Sequence, residues 1–222
     1  MFMRMKTGWE EFKMKNRMAK CFVLAMAFWM SLSAAAMAAI SPFSDVPMDH
    51  WAEHAIMRLH RDGYLHVGDD RRFDGEASVT YYDMAYMLGR LVSKMGGATS
   101  GAVPFSDVPQ NHWAYQRVGI VAEEGIMEGF SDGTFRGDKA ITRGEIAILL
   151  DKMLSRKGLS DYSEMSFGDV PKSHKAYKAV CSVCHKGIME SHPLNGNFYV
   201  DKYITRYEVV KLYPKLIELV IK

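Results

Sequence analysis

The strings Phe43-Ser44-Asp45-Val46-Pro47, Phe105-Ser106-Asp107-Val108-Pro109 and Phe167-Gly168-Asp169-Val170-Pro171 stand 62 residues apart, twice over. His50, His112 and His174 keep the same spacing, as do Gly63, Gly125 and Gly187. Self-similarity of this kind constrains a fold more than any local propensity, because it means one supersecondary unit has been made three times. Thr80, Thr142 and Thr205 open the last part of each copy, so the third copy carries one extra residue in its middle loop.

Each copy reads as helix, loop, helix. Asp49, Asn111 and Ser173 are residue types that cap a first helix. In the second copy Ala114, Val118, Val121 and Ala122 follow helical spacing, and Gly125 ends the run. Ser131-Asp132-Gly133-Thr134-Phe135 then predicts a turn and a short extended piece. Asn195-Gly196 keeps that turn signal in the third copy, whereas Asp69-Asp70-Arg71-Arg72 lacks it in the first. The second helix opens on a capping box: Thr142 with Glu145, Thr205 with Glu208 and, altered, Thr80 with Asp83. Its apolar face is Ile146, Leu149, Leu150 and Met153 in copy two, Val209, Leu212 and Leu216 in copy three, and Met84, Leu88 and Leu91 in copy one.

A unit of about 50 residues with two short helices has too little core to stand alone. The expectation is therefore an all-α assembly in which three copies bury their helix faces against each other and leave crevices between them. The copies fall at 39–92, 105–154 and 167–222, with linkers at 93–104, rich in Gly and Ser, and at 155–166.

Residues 1–38 read as a signal peptide. Lys13, Lys15, Arg17 and Lys20 precede an apolar run from Cys21 to Met30, and Ala36-Met37-Ala38 supplies the cleavage pattern. That apolar core is short for a membrane anchor, so an exported protein without a transmembrane segment is expected. Without the segment's six Lys/Arg and two Asp/Glu, the remainder holds 22 basic and 24 acidic residues, and the formal charge of +2 becomes −2. No basic stripe is left, which sets nucleic acid aside as a partner.

Arg143 and Arg206 are the residues that helix energetics does not explain. A cation in the first turn opposes the positive end of the helix dipole, at about a few tenths of a kcal/mol, unless an anion meets it. That anion is either a ligand carboxylate, which would also face free amides at the helix start, or an acidic residue of the neighbouring copy such as Asp107 or Asp169. In the first copy Tyr81 takes the arginine's place and offers no charge. Asp45, Asp107 and Asp169 suit loop-fixing by hydrogen bonds to backbone amides or contact with a ligand. Trp51 and Trp113 suit a sugar face or a plug between copies, and Lys175 stands at that place in copy three. The three histidines suit packing or backbone bonding; no metal site is expected, since no further ligands accompany them.

Cys181-Ser182-Val183-Cys184-His185 matches the attachment string of c-type haem. It lies in register with Gly119, Ala122 and Glu123 of copy two, where the first helix uses small buried residues. Quiet buried thiols fit better than an electron carrier, a disulfide or a metal use, and no cofactor is expected. No general acid/base pair, nucleophile constellation or phosphate loop is present, so an enzyme is not expected.

The strings F-S-D-V-P-x-x-H-W-A, G-I-x-x-G-F-x-D-G-T-F and I-T-R-G-E of the second copy resemble the S-layer homology repeat. The resemblance runs from Phe43 nearly to Lys222. It implies a pseudo-threefold, three-pronged helical assembly with a central three-helix bundle. It also implies that the grooves between repeats hold a cell-wall polymer, either a pyruvylated secondary polysaccharide or modified peptidoglycan. On this reading Arg143 and Arg206 hold the anionic group, and Asp45, Asp107, Asp169, Trp51, Trp113 and Tyr81 complete the grooves. The rival expectation is an adaptor that binds another envelope protein through the same grooves.

Overall fold

The computed structural model describes residues 42–221; the expected signal peptide and Cys21 lie outside the described residues. Among these residues six helices form: α1 (Glu53–Arg61), α2 (Tyr81–Lys94), α3 (Tyr115–Glu123), α4 (Arg143–Ser155), α5 (Tyr177–His185) and α6 (Arg206–Ile221). Among the described residues the only extended pairing is three isolated bridges, so the fold is all-α.

The first helices do not start where Asp49, Asn111 and Ser173 would cap them. A tight turn intervenes, closed by the amides of His50, His112 and His174 donating to the carbonyls of Pro47, Pro109 and Pro171 at 3.1, 3.0 and 2.8 Å. This delays helix onset to Ala52, Ala114 and Ala176, none of which caps with its side chain. The imidazoles take over instead. Nδ1 of His50, His112 and His174 accepts from the amides of Ala52, Ala114 and Ala176 at 3.3, 3.2 and 3.1 Å. At the far end Gly125 adopts φ 65°, and the Ile126 amide turns back onto the Val121 carbonyl at 2.9 Å, as a glycine stop requires.

The second helices begin at their threonines, and α2 and α4 carry complete capping boxes. In α6 the Thr205 amide donates to Glu208 Oε2 at 2.9 Å, and the Glu208 amide to Thr205 Oγ1 at 3.2 Å.

What joins the copies is a cycle. The residues just ahead of the second helices bridge antiparallel as Thr80 with Ala140, Thr142 with Tyr203, and Ser78 with Thr205. The first amide of each second helix then donates to the next copy: Tyr81 to the Lys139 carbonyl, Arg143 to Lys202 and Arg206 to Ala77, at 3.1, 2.9 and 2.9 Å. The second amides follow suit, Tyr82 to Gly137, Gly144 to Val200 and Tyr207 to Gly75. The helices pair the same way, α2 on α3, α4 on α5 and α6 on α1, with α4 also touching α6. Copy three therefore closes onto copy one as copy one does onto copy two.

Side chains respect the cycle. The Tyr82 ring lies where a Cβ on Gly137 would come within 2.1 Å, and Tyr207 does the same over Gly75. At the third junction the sizes are exchanged, with Gly144 beneath Val200. Phe43, Phe105 and Phe167 anchor each copy's opening loop on Phe73, Phe135 and Phe198, at centroid separations of 5.4, 5.1 and 6.0 Å.

The 93–104 linker is a packed strap. Gly101 presses on Gly119, where a Cβ on either would meet the other's carbonyl oxygen at 2.3 Å. The Ala98 amide donates to Glu124 at 2.8 Å. In the second linker the Met165 carbonyl accepts from the Tyr177 hydroxyl at 2.9 Å.

Candidate functional site

Because each second helix starts against the next copy, its first residue faces an inter-copy groove. Arg143, Arg206 and Tyr81 hold these three equivalent places, and their surroundings differ.

At Arg143, Nε donates to the Phe198 carbonyl at 2.8 Å and Nη2 to the Glu190 carbonyl at 3.0 Å. The guanidinium sits 4.7 Å above the Phe198 ring. These contacts use two of its five N–H donors, and no ion pair of Arg143 forms among the described residues. Burial lowers its pKa from the ordinary value against the opposing pull of Glu208, Cys184 and Asp169; the group stays cationic but partly desolvated. Beside it opens a cleft of 520 Å³ whose walls include Trp51, Tyr199, Lys202, Glu208, Lys211 and Lys215. Trp51 is 61% exposed, a free aromatic surface. Guanidinium N–H donors that the two carbonyls do not use thus lie next to an exposed aromatic ring.

At Arg206, Nε donates to the Phe73 carbonyl at 2.7 Å, but Nη1 is ion-paired with Asp83. The adjoining cavity is about 10 Å³, scarcely one water. Aromatic rings crowd it: His66 lies flat on Trp113 at 4.3 Å with 3° between planes, and Tyr86 is 5.8 Å from His66. At Tyr81 the hydroxyl donates to Glu145 Oε1 at 3.0 Å, and Lys139 sits over the Tyr81 and Phe130 rings. Burial first, then Glu145, raises the phenol's pKa well above 10.

The entrance carboxylates are spent on backbone. Asp45 accepts from Phe73 and Asp74, Asp107 from Phe135 and Arg136, and Asp169 from Phe198 and Val200, at 2.7–3.0 Å. For Asp45 burial pushes the carboxyl up, yet these amides outweigh it and hold its pKa below the usual value. The alternative salt bridge from an arginine to Asp107 or Asp169 is therefore not the one that forms; the internal anion is Asp83, and only for Arg206. Nor do the helix starts offer free amides. The cycle and the capping threonines consume them.

Sequence reasoning missed Lys202, Lys211 and Lys215. Lys211 stands where the other copies have Tyr86 and Ile148, and Lys215 where they have Arg90 and Lys152, a difference visible on comparing the copies column by column. The haem reading meets a packing obstacle: Cys181 is buried in the core, so attachment through it would unpack α5 from α4. Burial, then the neighbouring Cys181, pushes the Cys184 thiol up to about 12, and such a thiol is unreactive.

Residues 42–85, 104–147 and 166–210 match the family described as S-layer homology domain. The chain is 29% identical over 181 residues to the "Cellulosome-anchoring protein" of Acetivibrio thermocellus, covering 80% of this chain and 39% of that protein. It is 30% identical over 171 residues to the "Surface-layer 125 kDa protein" of Lysinibacillus sphaericus, covering 76% and 14%. With the "Outer membrane protein SlpA" of Thermus thermophilus it shares 41% identity over 76 residues, covering 32% and 8%. The chain thus spans no more than 39% of the length of these relatives.

Proposed function

Since the chain belongs to the S-layer homology domain family, we propose that it is a non-catalytic anchoring module of the cell envelope. It holds an anionic wall polymer, a pyruvylated polysaccharide or modified peptidoglycan, in one groove. The observation that carries this reading is the state of Arg143, a partly buried cation without an ion-pair partner among the described residues, opening on a cleft of 520 Å³ beside an exposed Trp51. A carboxylate arriving there meets a guanidinium already aimed by two carbonyls, so little side-chain entropy is lost on binding. The relatives' names, those of anchoring, surface-layer and outer-membrane proteins, support the envelope as the place of action. The signal-peptide pattern at residues 1–38 agrees with export.

The groove at Arg206 does not share the task on this reading, because Asp83 already neutralises its arginine and the space is filled. The test is binding to purified sacculi, and to the same sacculi stripped of secondary polymer. Arg143→Ala should weaken binding at least tenfold. Arg206→Ala should leave affinity within about twofold while lowering stability by about 3–5 kcal/mol, as breaking a mostly buried ion pair does. Wild-type affinity in Arg143→Ala would refute the assignment; equal binding to stripped sacculi would assign the ligand to the peptidoglycan, and no binding to either preparation would point to a protein partner in the envelope.

A further inference from the structure

We infer that the ligand of the Arg143 groove carries at least two negative charges, the second received by Lys211 and Lys215. This rests on the proposed function and adds the chemical class of the ligand: a polyanionic glycan segment, charged on more than one unit.

The two lysines are four residues apart on α6, which puts them on one face about 6 Å apart along the axis, and both line the cleft with Arg143. Lys211 has no ion pair among the described residues. Lys215 reaches Glu218 at 3.6 Å, an exposed contact between half-exposed side chains of the kind that contributes little. Lys202 is held at 3.5 Å by Glu208. The cleft thus gathers Arg143, Lys202, Lys211 and Lys215 against Glu190 and Glu208, a local cationic surplus on a chain that is acidic once residues 1–38 are set aside.

The other grooves lack this arrangement at the matching places. Ile148 replaces Lys211 in one, and its Lys152 is satisfied by Glu128 at 2.7 Å and the Gly125 carbonyl at 3.1 Å. In the other, Tyr86 replaces Lys211 and packs beside Trp113. A lysine pair whose one ion pair is an exposed contact at 3.6 Å therefore occurs in the groove that is open and not in the two that are filled or internally paired. A singly charged ligand fixed at Arg143 would leave their mutual repulsion offset only by the exposed Lys215–Glu218 contact. The cleft's 520 Å³ falls within the range of about 300–1,000 Å³ that encloses an extended small ligand, more than one carboxylate needs.

The experiment measures affinity for purified wall polymer across a salt series, using wild type, Arg143→Ala, Lys211→Gln/Lys215→Gln, Lys211→Arg/Lys215→Arg, and Lys157→Gln/Lys178→Gln as a remote control with the same charge change. The Gln pair should bind about tenfold more weakly and lose affinity less steeply with salt, at an unchanged unfolding midpoint; the Arg pair and the remote pair should match wild type. If the Gln pair equals wild type in affinity and salt slope while Arg143→Ala has lost binding, the second charge is refuted and the proposed function stands. If Arg143→Ala binds as wild type, the underlying reading fails instead. Mild acid, which removes ketal-linked carboxylate and spares phosphodiesters, identifies one source: binding that survives it and still differs between wild type and the Gln pair assigns the second charge to phosphate.

Discussion

Asp107 receives the amides of Phe135 and Arg136, both at 2.7 Å, and Arg136 is held at φ 53°. A non-glycine residue in that region is strained, and a doubly bonded carboxylate is what keeps it there. Asp107→Asn should cost about 1.5–3 kcal/mol in urea unfolding, with little change in ligand affinity if the residue serves the loop alone. Residue-level reasoning narrowed Asp45, Asp107 and Asp169 to two roles but could not choose between them, because their amide partners lie nearly thirty residues further along the chain. One dipole argument singles out both Arg143 and Arg206; only the fold separates them, through Asp83. Glu145 and Tyr81 give a pH signature. Burial raises Glu145, but hydrogen bonds from Thr142 and Tyr81 prevail and hold its pKa below 4.5, while Tyr81 stays protonated well above 10. The lowered carboxyl contributes stability above pH 4.5 that is lost as pH falls through the folded value; the raised phenol contributes stability below pH 10 that is lost as pH climbs beyond it. Tyr81→Phe should flatten the alkaline limb of a stability–pH curve, and Glu145→Gln the acid limb.

The second helices start where the Thr-x-x-Glu spacing puts them, since a capping box is satisfied within four residues and owes little to the rest of the chain. Thr142→Ala should cost about 0.5–2 kcal/mol. Because the cap also sets where α4 begins, and so where Arg143 points, affinity should fall with it. The first helices were misread for a physical reason: Asp49, Asn111 and Ser173 are good caps, but a proline-closed turn comes first and a histidine then bonds the backbone. The turn at 69–72 was illegible because its glycine is missing. The structure makes the turn regardless, with Arg71 at φ 56° in the place of Gly133.

At the scale of the whole molecule the triple spacing implied mutual burial but not its order. Nothing local says that each second helix packs on the first helix of the following copy, or that copy three returns to copy one. The exchange of Tyr82 over Gly137 and Tyr207 over Gly75 for Gly144 under Val200 is also in the sequence, and it has meaning only once the partners are known. Since every copy is completed by another, the three should unfold together. Thermal unfolding followed by tryptophan fluorescence and by far-ultraviolet circular dichroism should give one coincident transition; separate transitions would mean that the copies are independent.

The seam between α6 and α1 is the one junction that no linker spans. Tension applied at residues 43 and 221 would bear directly on it, shearing the Val79–Ile204 hydrogen bond and drawing Trp51 away from α6. An anchor built this way would release its hold when pulled along its own backbone, and would grip longest when the force enters through the bound polymer and a single terminus.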